Sequence, residues 1–289
     1  MIIFKEHTMK RFIIATAVCC LTLSGMAQKE GSGTADTVRV GNFIIVKKDR
    51  VNSGPIQRHS ERTDNTNPNR GVISTNWLFM DLGFANLRDN TDYTAAQSTG
   101  YLKVLRPANG PVTRNSLALN GGKSSNVNIW FFMQRLNISH HVLNLKYGLG
   151  LEMYNFRYDK SPSYRSDPAP FIFNDSIGFS KDKLYAGYLT VPLMVNINTT
   201  PHHRDGFSFS FGASAGYLVG SHEKQISAER GKQKVYSDFN MQPWRVAGIM
   251  ELGIGPVRLY GSYSFNALHR ESTGLVQYPY AVGLRLSNW

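Results

Sequence analysis

The sequence predicts an all-β fold, an eight-stranded antiparallel up-and-down transmembrane β-barrel, and three observations point to it. From residue 71 onward, eight segments alternate apolar and polar residues with a period of two, as strands do when their two faces meet different surroundings. The connectors between these segments alternate long and short without exception. An up-and-down meander places alternate connections at opposite ends, so long loops gather at one end and tight turns at the other. Finally, the apolar rows are almost free of charge, whereas their partner rows are Ser, Gly and a few ions. A Lys or Arg on a lipid face costs roughly 2–4 kcal/mol at mid-membrane, so the apolar rows point outward.

Ahead of the barrel, "MKRFIIATAVCCLTLSGMAQ" has the shape of a secretory signal. Lys10 and Arg11 precede an apolar run from Phe12 to Leu23, and Gly25-Met26-Ala27 supplies small residues for cleavage. Residues 1–27 are therefore expected to be removed. Both cysteines, Cys19 and Cys20, lie inside that signal, so the mature chain has no disulfides and depends on a hydrogen-bonded framework. Residues 28–70 are rich in Gly, Ser, Asn, Arg and Asp and are expected to be mostly disordered and periplasmic, with one apolar island at 38–46 able to form a short strand. The barrel occupies 71–289. The formal charge of +12 is spread thinly, with no basic block interleaved with aromatics, which argues against nucleic acid as a partner.

The strand segments follow in order. The first, 73–85, and the second, 126–138 ("NVNIWFFMQRLNI"), are bulky on both faces, and the pattern leaves their inner rows open. The third, 142–157, alternates cleanly: Leu143, Leu145, Tyr147, Leu149, Leu151 and Met153 against Asn144, Lys146, Gly148, Gly150 and Glu152. The fourth spans 183–198. In the fifth, 206–220, Phe207, Phe209 and Phe211 oppose Ser208, Ser210 and Gly212, a small-residue row suited to a narrow interior. The remaining three are 241–252, 256–266 and 278–289. Several exceed the roughly 9–11 residues needed to cross a bilayer with tilt.

The inner rows bring together three acids, Asp81, Glu152 and Glu251, and four bases, Lys146, Arg245, Arg258 and Arg285. Confined charges must pair, so these seven are expected to form a structural ionic network in the lumen. Aromatics near segment ends (Trp77, Tyr154, Phe156, Tyr158, Tyr185, Trp244, Tyr263, Phe265, Tyr278, Tyr280 and Trp289) predict girdles at the two membrane interfaces.

Chemistry is sparse. His140-His141 and His202-His203 sit in short turns, where neighbours point oppositely and each pair offers at most one ligand; no metal site is expected. His269, Glu271 and Ser272 lie in a loop without an orienting context, and no phosphate-cradling glycine loop is present, so neither a catalytic site nor a cofactor is expected.

The signal ending "GMAQ", the strands "LKYGLGLEMYNF" (145–156) and "FSFGASAGYLVG" (209–220), and the closing "YPYAVGLRLSNW" resemble the outer-membrane β-barrel family of Gram-negative bacteria, with its small OmpA/OmpX-type and PorT-like members. The resemblance implies residence in the cell outer membrane, contact with its lipid, and insertion by the barrel assembly machinery. One departure is that Trp289 shares parity with Arg285 and Ser287 rather than with the apolar row of Val282 and Leu284, which a bulge near Ser287 would repair. The function expected is a structural or surface-interaction role without catalysis. The alternative, from the PorT-like comparison, is an accessory component of a protein export or secretion system, with an envelope or secretion protein as partner. A small pore and a soluble ligand-binding barrel are the lesser alternatives.

Overall fold

The structure is a computed structural model that describes residues 37–40, 43–46, 72–200 and 206–286. The expected signal, most of 28–70, His202, His203 and Trp289 lie outside the described residues. Two units are distinguished, with the division at Thr63/Asp64. In the first, the apolar island forms an antiparallel pair rather than a single strand: β1 (Thr37–Val40) and β2 (Phe43–Val46).

The second unit is all-β. Eight long strands are paired in sequence order: β3 (Ile73–Asp89), β4 (Ser125–Ser139), β5 (Leu143–Arg157), β8 (Lys181–Asn198), β9 (Phe207–Ser227), β11 (Trp244–Ile254), β12 (Val257–Ser264) and β13 (Gln277–Leu286). β13 pairs back onto β3, which completes a ring of eight antiparallel strands. Pairing around a ring leaves no strand edge unsatisfied, the condition for a sheet in lipid. Four long connections lie at one end and three shorter ones, of three, eight and two residues, at the other. The loops carry structure that alternation alone did not reveal: helix α1 (Tyr93–Ser98), capped by Asp92, the hairpin β6 (Pro162–Arg165) with β7 (Phe171–Asn174), and β10 (Gly231–Tyr236), which folds back on the upper half of β9.

Face assignment follows the alternation. Along β5 every even-numbered residue from Asn144 to Phe156 is buried, while the leucine row faces outward. Val282 is 51% exposed and Ser210 is 0% exposed. The apolar wall is on the outside and the polar row within.

The ambiguity of the first two segments has a physical cause. Phe131 is an extra residue of β4 against β5, whose register runs Trp130↔Gly150 and then Phe132↔Leu149, and the residue across from it on β3, Leu78, drops out of the β3–β4 ladder with it. Both side chains face outward, and Leu78 adopts φ +44. Past this point the inner row of β4 changes from Asn126, Asn128 and Trp130 to Met133, so both parities carry bulk. A second irregularity between β8 and β9 leaves Val219 as an extra residue and moves the inner row of β9 from Gly216 and Leu218 to Ser221, Glu223, Gln225 and Ser227. For that reason β9 runs seven residues beyond the expected end at Gly220.

Close approach explains the paired glycines of β3 and β13. Gly83 stands opposite Gly283, and a Cβ on Gly283 would lie 2.4 Å from the Gly83 Cα and 2.7 Å from the Tyr260 ring. The space they leave is filled by Tyr260, whose hydroxyl donates to Asn126 Oδ1 at 2.7 Å.

Candidate functional site: the filled lumen

The lumen is filled in two layers. All seven ionic residues identified from the inner rows are buried and point inward. Arg285 is the hub. Its Nε and Nη2 donate to the two oxygens of Asp81 at 2.6 and 2.7 Å, and its Nη1 donates to Glu251. Glu251 also accepts from Lys146 Nζ at 2.5 Å, and Lys146 reaches Ser210 Oγ at 3.3 Å. Asp81 additionally accepts from the Trp130 indole at 2.7 Å and from Asn128 at 3.2 Å. Arg285 lies over the rings of Trp130 and Phe79, at 5.1 and 5.4 Å. Arg245 pairs with Glu152 at 2.7 Å and lies over Tyr154. Arg258 donates to Ser208 at 2.8 Å.

These contacts join every strand of the ring except β8, which supplies Asn196; its amide donates to Ser210 at 2.9 Å. Small inner residues create the room. A Cβ on Gly150 would lie 2.5 Å from the Trp130 ring, so glycine there is what lets the indole reach Asp81. The void left among Asn128, Trp130, Glu152, Glu251 and Arg285 is about 20 Å³, space for about one water.

Above the ions lies an apolar plug. All four long loops turn inward: Ala96, Tyr101, Leu102, Val112 and Leu117 from the first, Tyr158, Tyr164 and Ile172 from the second, Phe239 and Met241 from the third, Leu268 and Leu275 from the fourth. They pack on inward side chains of the strand ends, including Tyr154, Phe156, Leu184 and Tyr188. Tyr154, Phe156 and Tyr158, expected in an interfacial girdle, belong to this interior layer instead. Near a strand end an aromatic on the inner row meets loop side chains rather than lipid. By contrast Trp77, Trp244, Tyr263 and Phe265 are exposed on the outer wall.

Buried polar groups tie the plug to the wall. The Tyr101 hydroxyl donates to the Phe239 carbonyl at 2.6 Å, and the Tyr158 and Tyr164 hydroxyls lie 2.6 Å apart. The Tyr164 N–H is shared by both oxygens of Glu223 at 3.1 Å. Gln225 Nε2 reaches Ser163 Oγ at 2.8 Å. Burial raises the Tyr101 and Tyr164 hydroxyls well above the ordinary phenol range.

The histidines have structural surroundings. His269 is buried in the plug, stacked on Tyr164 at 6.3 Å and tilted against Tyr101, with neither ring nitrogen hydrogen-bonded; burial lowers its pKa to about 4. Glu271 and Ser272 are exposed, so the three do not form a cluster. His140 and His141 occupy the β4–β5 turn with φ +46 and +59. Among the described residues no group of three metal-ligating side chains comes together. Apart from Tyr158 and His269, the loop residues of the plug were not singled out in the sequence, although the apolar islands "YLKVL" and "FIF" in otherwise polar loops carry the signal.

In comparisons with known proteins, a family model described as outer membrane protein beta-barrel domain matches residues 82–272, more than half of the chain. No curated protein matches.

Proposed function

Because the chain belongs to the outer membrane protein β-barrel domain family, we propose that it is a closed, non-conducting barrel of the outer membrane with a structural and surface-interaction role and no catalytic chemistry. The observation that carries this reading is the filling of the lumen by two successive layers, the buried ions and the plug drawn from all four long loops. Eight strands enclose an interior only wide enough for side chains, and here those side chains pair with one another rather than line a water path. In the usual orientation of such barrels the long loops face outward and the turns face the periplasm, together with the N-terminal segment. The chain is then exported by its signal and inserted by the barrel assembly machinery. The outer surface of the loops, where Val104 and Leu105 are exposed, meets envelope partners.

The test is single-channel recording on the full chain refolded into planar bilayers, with heat-modifiable gel migration as the check of folding. Folded protein is expected to give no discrete conductance steps. Reproducible ohmic steps from the heat-modifiable species would overturn the reading.

A further inference from the structure

Strand register builds a row of four cations on the outer wall. Arg157 of β5 stands opposite Lys183 of β8, Lys183 opposite Lys224 of β9, and Lys224 opposite Lys234 of β10. Beyond them, Lys181 and Lys232 both stand opposite Ile226. Like charges directly opposed on neighbouring strands repel. Among the described residues of these strands no acidic side chain shares that face, although Asp182 attracts Arg157 from the inner one. The carboxylates of these strand ends, Asp182 and Glu223, are buried on the inner face, and Glu229 lies in the β9–β10 turn. Among the described residues none of the six cations forms an ion pair. Arg157 donates instead to the Ser180 carbonyl and Lys183 to Asn155 Oδ1, both at 2.5 Å.

The level of this row is informative. The next outward-facing row toward the short turns is Asn155, Tyr185, His222 and Tyr236. Tyr185 stacks on His222 at 4.7 Å, and His222 meets Tyr236 at 5.3 Å. Further along β8 come Leu189, Val191 and Leu193, exposed on the wall. Such half-polar rings sit at the membrane interface. One strand repeat above them, about 7 Å, is headgroup depth.

We infer that the Arg157–Lys183–Lys224–Lys234 row is a binding site for phosphate-bearing lipid headgroups in the leaflet beside the long loops. A phosphate between adjacent lysines replaces their repulsion with two attractions, and the acyl chains lie along the apolar wall below. The inference stands on strand register and the aromatic row, independently of whether the lumen conducts.

The test uses the full chain in detergent micelles and native mass spectrometry, with diphosphorylated lipid A as probe and its dephosphorylated form as comparison. The phosphorylated lipid is expected to be retained preferentially. The double variant Lys183→Gln/Lys224→Gln is expected to lose about tenfold or more in affinity, at about 1 kcal/mol per cation near a charged surface. Lys123→Gln, an exposed lysine in the first long loop, should bind as the parent does. Heat-modifiable migration establishes that each variant is folded. Equal retention of the two lipids, or no change in the double variant, would overturn the inference. Binding of heparin in lipid-free micelles that is as strong and is lost in the same variant would overturn it too, because the row would then be a site for soluble polyanions.

Discussion

Arg285 donates to two carboxylates at once, and its removal would strand both. With Asp81 and Glu251 left buried without their shared partner, Arg285→Ala is expected to cost about 3–5 kcal/mol. Urea titration of vesicle-inserted protein, followed by tryptophan fluorescence, measures that loss; a cost below about 1 kcal/mol would show that the hub is not structural. His269 gives a second prediction at this scale. Its pKa falls from 6.5 to about 4 in the folded plug because burial penalises the charged ring. The unfolded loop therefore takes up a proton as pH falls through 6.5, while the folded plug resists until about 4. The stabilisation is complete above that window, declines as pH falls through it, and levels off below. The change amounts to at most about 3 kcal/mol. Hydrogen exchange of the loop amides, corrected for its intrinsic pH dependence, should accelerate between pH 7 and pH 5 in the parent and not in His269→Phe. At this scale the inner charges of the third strand and of the last three were legible because parity places them, whereas Asp81 lies on a strand whose pattern left its inner row open. The burial of His269 was not, since a loop residue has no period to read.

Turns and irregularities decide the strands. His140 and His141 both take positive φ in a two-residue turn with Val142 N–H donating to the Ser139 carbonyl at 2.9 Å, a type I′ geometry that favours Asn-Gly. His141→Gly is expected to stabilise the barrel by about 0.4–1 kcal/mol through relief of this backbone conformation. A rise in the urea midpoint without a change in slope would show it, and a fall would mean that contacts of the imidazole outweigh the backbone preference. Clean alternation made β5 readable from end to end. In β4 the extra residue Phe131 reversed the parity midway, the alternation of β3 breaks beside it at Leu78, and in β9 Val219 had the effect that Phe131 has in β4. One inserted residue exchanges the two faces, so a fixed period cannot be followed through it.

At the scale of the molecule, the barrel has opposite surroundings at different depths. Through the membrane, the outer wall is apolar and the interior ionic. At the long-loop end, the interior becomes mainly apolar and the outer wall along β5, β8, β9 and β10 cationic. The reversal follows from what each surface meets: lipid outside the lower strands, water and headgroups outside the upper ones, and the chain's own loops inside them. The aromatics show the consequence. Trp244 and Tyr263 remain on the outer wall, whereas Tyr154, Phe156 and Tyr158, equally close to strand ends, are drawn into the plug.

Alternation of side chains and of loop lengths was enough to specify eight strands, their order, the outward direction of the leucine rows and the inward direction of every inner charge but Asp81, because these properties depend on neighbours one or two positions away. Which charges pair, where the loops go, and that Arg157, Lys183, Lys224 and Lys234 share one row were decided only by the tertiary structure. Those relations depend on register between strands separated by tens of residues, and register is set by closure of the ring and by its inserted residues rather than by any local period.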